Sequence, residues 1–150
     1  MEDTLKTILN VSALIGGVLA VVTFWRNVRL RRAEWLFSLH AKFYESQTYK
    51  RIRHILDYQP QPQFNELRKA VLEGGNDELA EAFVDYLNFF EFVASLWKLH
   101  QLSTREIRMI FEYYILLLKE RDFALDFIKN NGFENLSKLI DVLHRGKKYL

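Results

Sequence analysis

The segment from Asp77 to His100, DELAEAFVDYLNFFEFVASLWKLH, decides the fold. Leu79, Phe83, Tyr86, Leu87, Phe90, Val93, Ala94 and Trp97 recur at three- and four-residue spacing, which puts them on one face of an α-helix, and Phe89 and Phe92 widen that face. A stripe this broad and apolar has to be covered by other helices, so the segment reads as the central helix of a bundle.

The neighbouring segments supply that cover. Ser103 followed three residues later by Glu106 is a capping box, opening a helix that turns Ile107, Ile110, Phe111, Tyr114, Ile115 and Leu118 inward. Asp122 to Asn130 carries Phe123, Phe127 and Ile128, Asn131-Gly132 supplies a left-handed cap, and Glu134 to Arg145 carries Leu136, Leu139, Ile140 and Leu143. On the N-terminal side, Gly74-Gly75-Asn76 ends a short helix from Phe64 to Glu73 with Leu67, Val71 and Leu72 on one side. The tract QPQPQ (Gln59 to Gln63) breaks the chain, because proline lacks an amide donor and pushes its preceding residue to an extended conformation. Before it, Tyr49, Ile52, Ile55 and Leu56 form a helical stripe to Tyr58, and Val28, Trp35, Leu36, Leu39 and Phe43 form another through about Glu45.

Composition agrees with helices. Six Gly and two Pro in 150 residues leave little turn chemistry for a many-stranded sheet, and 49% hydrophobic residues are enough for one packed domain. With no Cys there is no disulfide, no thiolate nucleophile and no Cys-based zinc or iron–sulfur site. The expected fold is therefore all-α, with a five- to six-helix antiparallel bundle over residues 47–150 that would bury about two thirds of its unfolded surface.

The N-terminal region reads differently. Thr7 to Trp25, TILNVSALIGGVLAVVTFW, is 19 residues without a charge. Its helix would be about 28 Å long, close to a bilayer's hydrocarbon thickness. The expectation is an N-terminal tail and transmembrane helix over 1–25 and a basic amphipathic stalk over 26–46. Trp25, Arg26, Arg29, Arg31 and Arg32 would sit at the membrane interface against anionic head groups, and the excess of arginine after the span would place the C-terminal side in the cytoplasm of a single-pass plasma-membrane protein. Within the span Ser12, Ala13, Gly16, Gly17 and Ala20 form a stripe of small side chains with Asn10 on its edge, a surface on which copies of the helix would associate into a homo-oligomer.

Charge is uneven: residues 26–53 carry a local +6, whereas the whole chain carries +2. Lys50, Arg51, Arg53 and His54 form the best candidate for binding an anion such as a nucleotide, against the plainer reading of a solvated face paired with neighbouring carboxylates. Asp85, Asn88 and Glu91 recur every three residues on the aromatic helix; an inward acid there would need a partner such as Arg51, Arg53 or Arg105. His40, His54, His100 and His144 are scattered without a metal-ligand spacing, and no nucleophile elbow or phosphate loop accompanies the few Ser, Thr and Gly residues. No catalytic residue, metal or cofactor is expected.

At RRAEWL (Arg31 to Leu36), KFYES with YKRIRHILDY (Lys42 to Tyr58), FVDYLNFFEFVASL (Phe83 to Leu96) and GFENL (Gly132 to Leu136), the chain resembles a group of uncharacterised bacterial membrane proteins with one N-terminal span and a small helical cytosolic domain. The resemblance implies topology and architecture and carries over no catalytic residue. The expected function is a non-enzymatic, membrane-anchored helical interaction module that oligomerises through its first helix and presents its bundle to a cytosolic protein partner. The alternative is a ligand-gated membrane effector of the phage-defence type, in which a nucleotide signal bound at Lys50, Arg51 and Arg53 acts on spans assembled as a pore.

Overall fold

The computed structural model describes the backbone of residues 2–58, 61–74 and 76–146, and their side chains from Leu14 onward apart from that of Gln61. Among the described residues there are seven helices and no strand: α1 (Glu2–Glu45), α2 (Gln47–Tyr58), α3 (Gln61–Glu73), α4 (Asp77–Lys98), α5 (Thr104–Lys119), α6 (Asp122–Asn130) and α7 (Glu134–Gly146).

Local chemistry accounts for the boundaries. At the start of α5 the Ser103 hydroxyl accepts from the Glu106 amide at 3.2 Å, and the Glu106 carboxylate accepts from the Ser103 amide at 2.8 Å, a complete capping box. Asn76 caps α4 by accepting from the Leu79 amide at 3.1 Å. Gly74 (φ +79°) and Gly132 (φ +84°) take the left-handed conformation that α3 and α6 require beyond their ends. The third helix begins at Gln61 rather than at Phe64, because a proline in the first turn, here Pro62, forfeits an amide that has no intrahelical partner anyway. After α4, His100 adopts φ +57° without being glycine, and the Leu102 and Gln101 amides fold back onto the Leu96 carbonyl.

The chain divides into two compact units, residues 1–41 and 42–150. In the second unit α4 packs against α2, α3 and α7, and α5 packs against α2, α6 and α7, so α4 is central as its apolar stripe requires. Phe43, in the last turn of α1, is fully buried. Its ring lies 5.2 to 6.2 Å from those of Tyr49 on α2, Tyr86, Phe89 and Phe90 on α4, and Phe111 and Tyr114 on α5. Phe92, expected to widen the inward face of α4, is instead 53% exposed: it falls at the edge of the arc that the neighbouring helices cover.

Tyr86 is the imperfect member of this core. It is fully buried and, among the described residues, its hydroxyl has no hydrogen-bond partner. Burial pushes the phenol well above its ordinary value, with Arg53 acting in the opposite direction. An unpartnered buried hydroxyl costs stability, so Tyr86→Phe is expected to raise the unfolding free energy by about 1 kcal/mol, measured by urea denaturation. A loss of similar size would show that the hydroxyl is satisfied.

The first unit is the N-terminal part of α1, which at 44 residues is one continuous helix through the expected span and stalk. Among the described residues no helix is long and apolar enough to cross a membrane, which corrects the expectation of an N-terminal transmembrane helix. Arg26, Arg29, Arg31 and Arg32 follow Trp25 within the same helix. The side chains of Asn10, Ser12 and Ala13 lie outside the described residues.

Candidate functional site

The basic segment of α2 is split by the helical repeat. Lys50, Arg51 and His54 are exposed, whereas Arg53, one step round the helix, is 9% exposed. Arg51 pairs with Glu78 of α4 at 3.0 Å, and the pair is largely exposed, the usual form of a weak surface bridge. Arg51 and His54 together line a hollow of about 280 Å³ that also contains Glu66, so carboxylates accompany the cations there. The His54 ring rests on Tyr58 at 5.0 Å. Arg53 is not brought together with the other three.

Arg53 instead closes the end of a helix. Its guanidinium donates to the Phe43 carbonyl and, at 3.1 Å, to that of Tyr44, and it lies over the Phe43 and Tyr44 rings at 4.6 and 5.0 Å. The last carbonyls of a helix have no intrahelical donor and carry the negative end of its dipole. A buried cation is stabilised there by carbonyl dipoles and aromatic faces, and among the described residues no carboxylate pairs with it. Two other arginines repeat the arrangement. Arg121 donates from Nη2 and Nε to the Leu56 carbonyl near the end of α2, at 2.8 and 3.2 Å. Arg108, ion-paired with Glu112, donates to the Leu143 carbonyl near the end of α7 at 3.1 Å. Sequence reasoning missed both roles, since the partners are 65 and 35 residues away and no local motif marks them.

The polar residues of α4 also separate. Asp85 and Asn88 are exposed; Glu91 is half-buried and caps α7. Its carboxylate accepts from the Leu136 amide at 2.8 Å, from the Asn135 amide at 3.2 Å and from the Asn135 side chain at 2.7 Å. The inward acid therefore finds its counterpart in the N-terminus of a helix rather than in an arginine, because unpaired amides and the positive end of the dipole stabilise a carboxylate there. Asn135 in turn contacts Ser95 at 3.2 Å and accepts from Lys98 at 3.1 Å. On α5, the Tyr113 hydroxyl donates to Asp57, and this hydrogen bond pushes the phenol up to about 12.

Described by itself, the first unit exposes Leu14, Ile15, Val18, Leu19, Val22 and Trp25, side chains that share one broad face of α1 at 100° per residue. Gly16, Gly17 and Ala20 occupy the opposite face, and a Cβ added at either glycine would meet nothing within 4 Å. Arg26, Arg29, Arg31 and Arg32 follow, all exposed. Among the described residues no group of three or more His, Asp or Glu is placed to hold a metal ion.

Helices joined end to end by arginine and carboxylate caps around an aromatic core define an all-α bundle protein. The chain belongs to the family described as Domain of unknown function (DUF4760), which matches residues 10–141 and so takes in most of α1 and nearly all of the bundle. No curated protein and no solved structure matches the chain.

Proposed function

We propose that the protein is a helical interaction module whose copies associate through α1, holding several bundles together for capture of a further protein. The observation that carries this reading is the uncovered apolar face from Leu14 to Trp25. Large contiguous apolar surface is costly in water and marks a surface that is covered in the working state. A second copy of the chain is the occupant we assign. Each α1 carries both a face of large side chains and, at Gly16, Gly17 and Ala20, a face open enough for a neighbouring backbone to come close. Association would gather bundles at high effective concentration, which strengthens capture of a partner without any new contact.

Native mass spectrometry of the full chain tests this. The wild type is expected as a dimer or larger assembly, and Val18→Glu with Val22→Glu is expected to weaken association at least about tenfold while leaving the bundle's helicity intact, since both side chains are exposed. A monomeric wild type overturns the reading, as does a chain that binds phospholipid vesicles through α1 without self-associating.

A further inference from the structure

We infer that the second unit contains a binding site for a small organic anion bearing a planar ring, the chemistry of a nucleoside monophosphate, between the end of α4 and the starts of α5 and α7. The site is a cavity of about 490 Å³ lined by Trp97, Lys98, His100 and Leu102, by Ser103 and Thr104 at the head of α5, and by Asn135 and Lys138 of α7. This volume falls within the range of small-molecule pockets, which combine an apolar wall with a few convergent polar groups.

The lining has one sign of charge. Lys98 and Lys138 enter it, His100 stands between the helices, and no Asp or Glu is among the lining residues. Two nearby carboxylates are committed to helix caps: Glu91 to the amides of Asn135 and Leu136, and Glu106 to the amide and hydroxyl of Ser103. Among the described residues neither lysine has an ion-pair partner, and Lys98 is held in place by the Asn135 side chain. An anion held by two lysines that line one cavity gains charge-assisted hydrogen bonds.

The apolar wall is also held in position. The Trp97 indole donates from Nε1 to the Thr104 hydroxyl at 3.0 Å, which ties the end of α4 to the head of α5 and sets the ring as a fixed surface. Leu102, fully buried, backs the pocket. The turn that carries this wall contains the one positive-φ residue other than glycine among the described residues, His100 at +57°. Rigid aromatic surface beside paired cations selects an organic anion over a bare one.

The test uses the full chain with Trp25→Phe and Trp35→Phe, so that Trp97 is the remaining fluorophore. Adenosine monophosphate is expected to change Trp97 emission saturably, and inorganic phosphate is expected to compete more weakly. Lys138→Ala is expected to weaken the mononucleotide roughly tenfold or more, by loss of one charge-assisted contact, and Lys98→Gln to act in the same direction. Lys138 is exposed and makes no hydrogen bond or ion pair among the described residues, so its variant retains the fold even if the Lys98 variant disturbs the cap of α7. Lys50→Ala, on α2 and outside the pocket, is expected to leave affinity unchanged. The assignment is overturned by no saturable change up to about 1 mM nucleotide, by phosphate binding as tightly as the nucleotide, or by equal weakening from Lys50→Ala and Lys138→Ala.

Discussion

Phe43→Ala is expected to lower the unfolding free energy by about 4 kcal/mol, the upper range for truncating a core phenylalanine. Phe43 is fully buried and its ring is within 6.2 Å of six others, drawn from α2, α4 and α5. Removing it forfeits the transfer free energy of a benzyl group, opens a cavity lined by rigid rings that cannot collapse, and ends the edge-to-face contacts with Phe90, Phe111 and Tyr114. Urea denaturation followed by far-ultraviolet circular dichroism measures the change. A loss below about 1 kcal/mol would show that the aromatic cluster repacks without its central ring, contrary to a closely packed core.

Arg53→Met is expected to cost about 3 kcal/mol, whereas Arg51→Met, two residues away, is expected to change stability by less than about 0.5 kcal/mol. The two differ in what their guanidinium groups satisfy. Arg53 donates to the Phe43 and Tyr44 carbonyls at the end of α1 and lies against the Phe43, Tyr44 and Tyr114 rings; methionine fills the volume but leaves those carbonyls without their donor. Relief of the buried charge's desolvation offsets part of that loss, which keeps the figure near 3 rather than higher. Arg51 makes one exposed bridge to Glu78, and water replaces it at little cost. Equal effects of the two substitutions, read from the same denaturation curves, would sink the assignment of Arg53 as the closure of α1. The same comparison bears on the anion reading of the basic segment, because a guanidinium committed to backbone carbonyls is not available to a ligand at the surface.

Local signals carried the helices well. The capping box at Ser103 and Glu106, the left-handed turn at Gly132 and the apolar stripe of α4 are written in residues three or four apart, and their physical causes act over the same short range. The first helix tested that kind of reading differently: apolar composition over Thr7 to Trp25 argued for a span, whereas the described part of α1 contains no stretch long and apolar enough to cross a membrane. Composition reports how greasy a segment is; whether lipid or protein covers it depends on what the folded chain and its assemblies place beside it.

The amino-acid sequence by itself determined an all-α chain, its helix boundaries to within a few residues, and most of the inward-facing positions, because side chains compete with water and with the local backbone before any distant segment arrives. Tertiary structure alone decided which polar residues are spent holding the bundle together. Arg53, Arg108 and Arg121 close helix ends, and Glu91 opens another, through partners 9 to 65 residues away. It also brought Trp97, Lys98 and Lys138 around one cavity from two helices. Orphan carbonyls and amides accept whichever charged side chain the packing of the helices brings within reach, and that pairing has no period for a sequence to display.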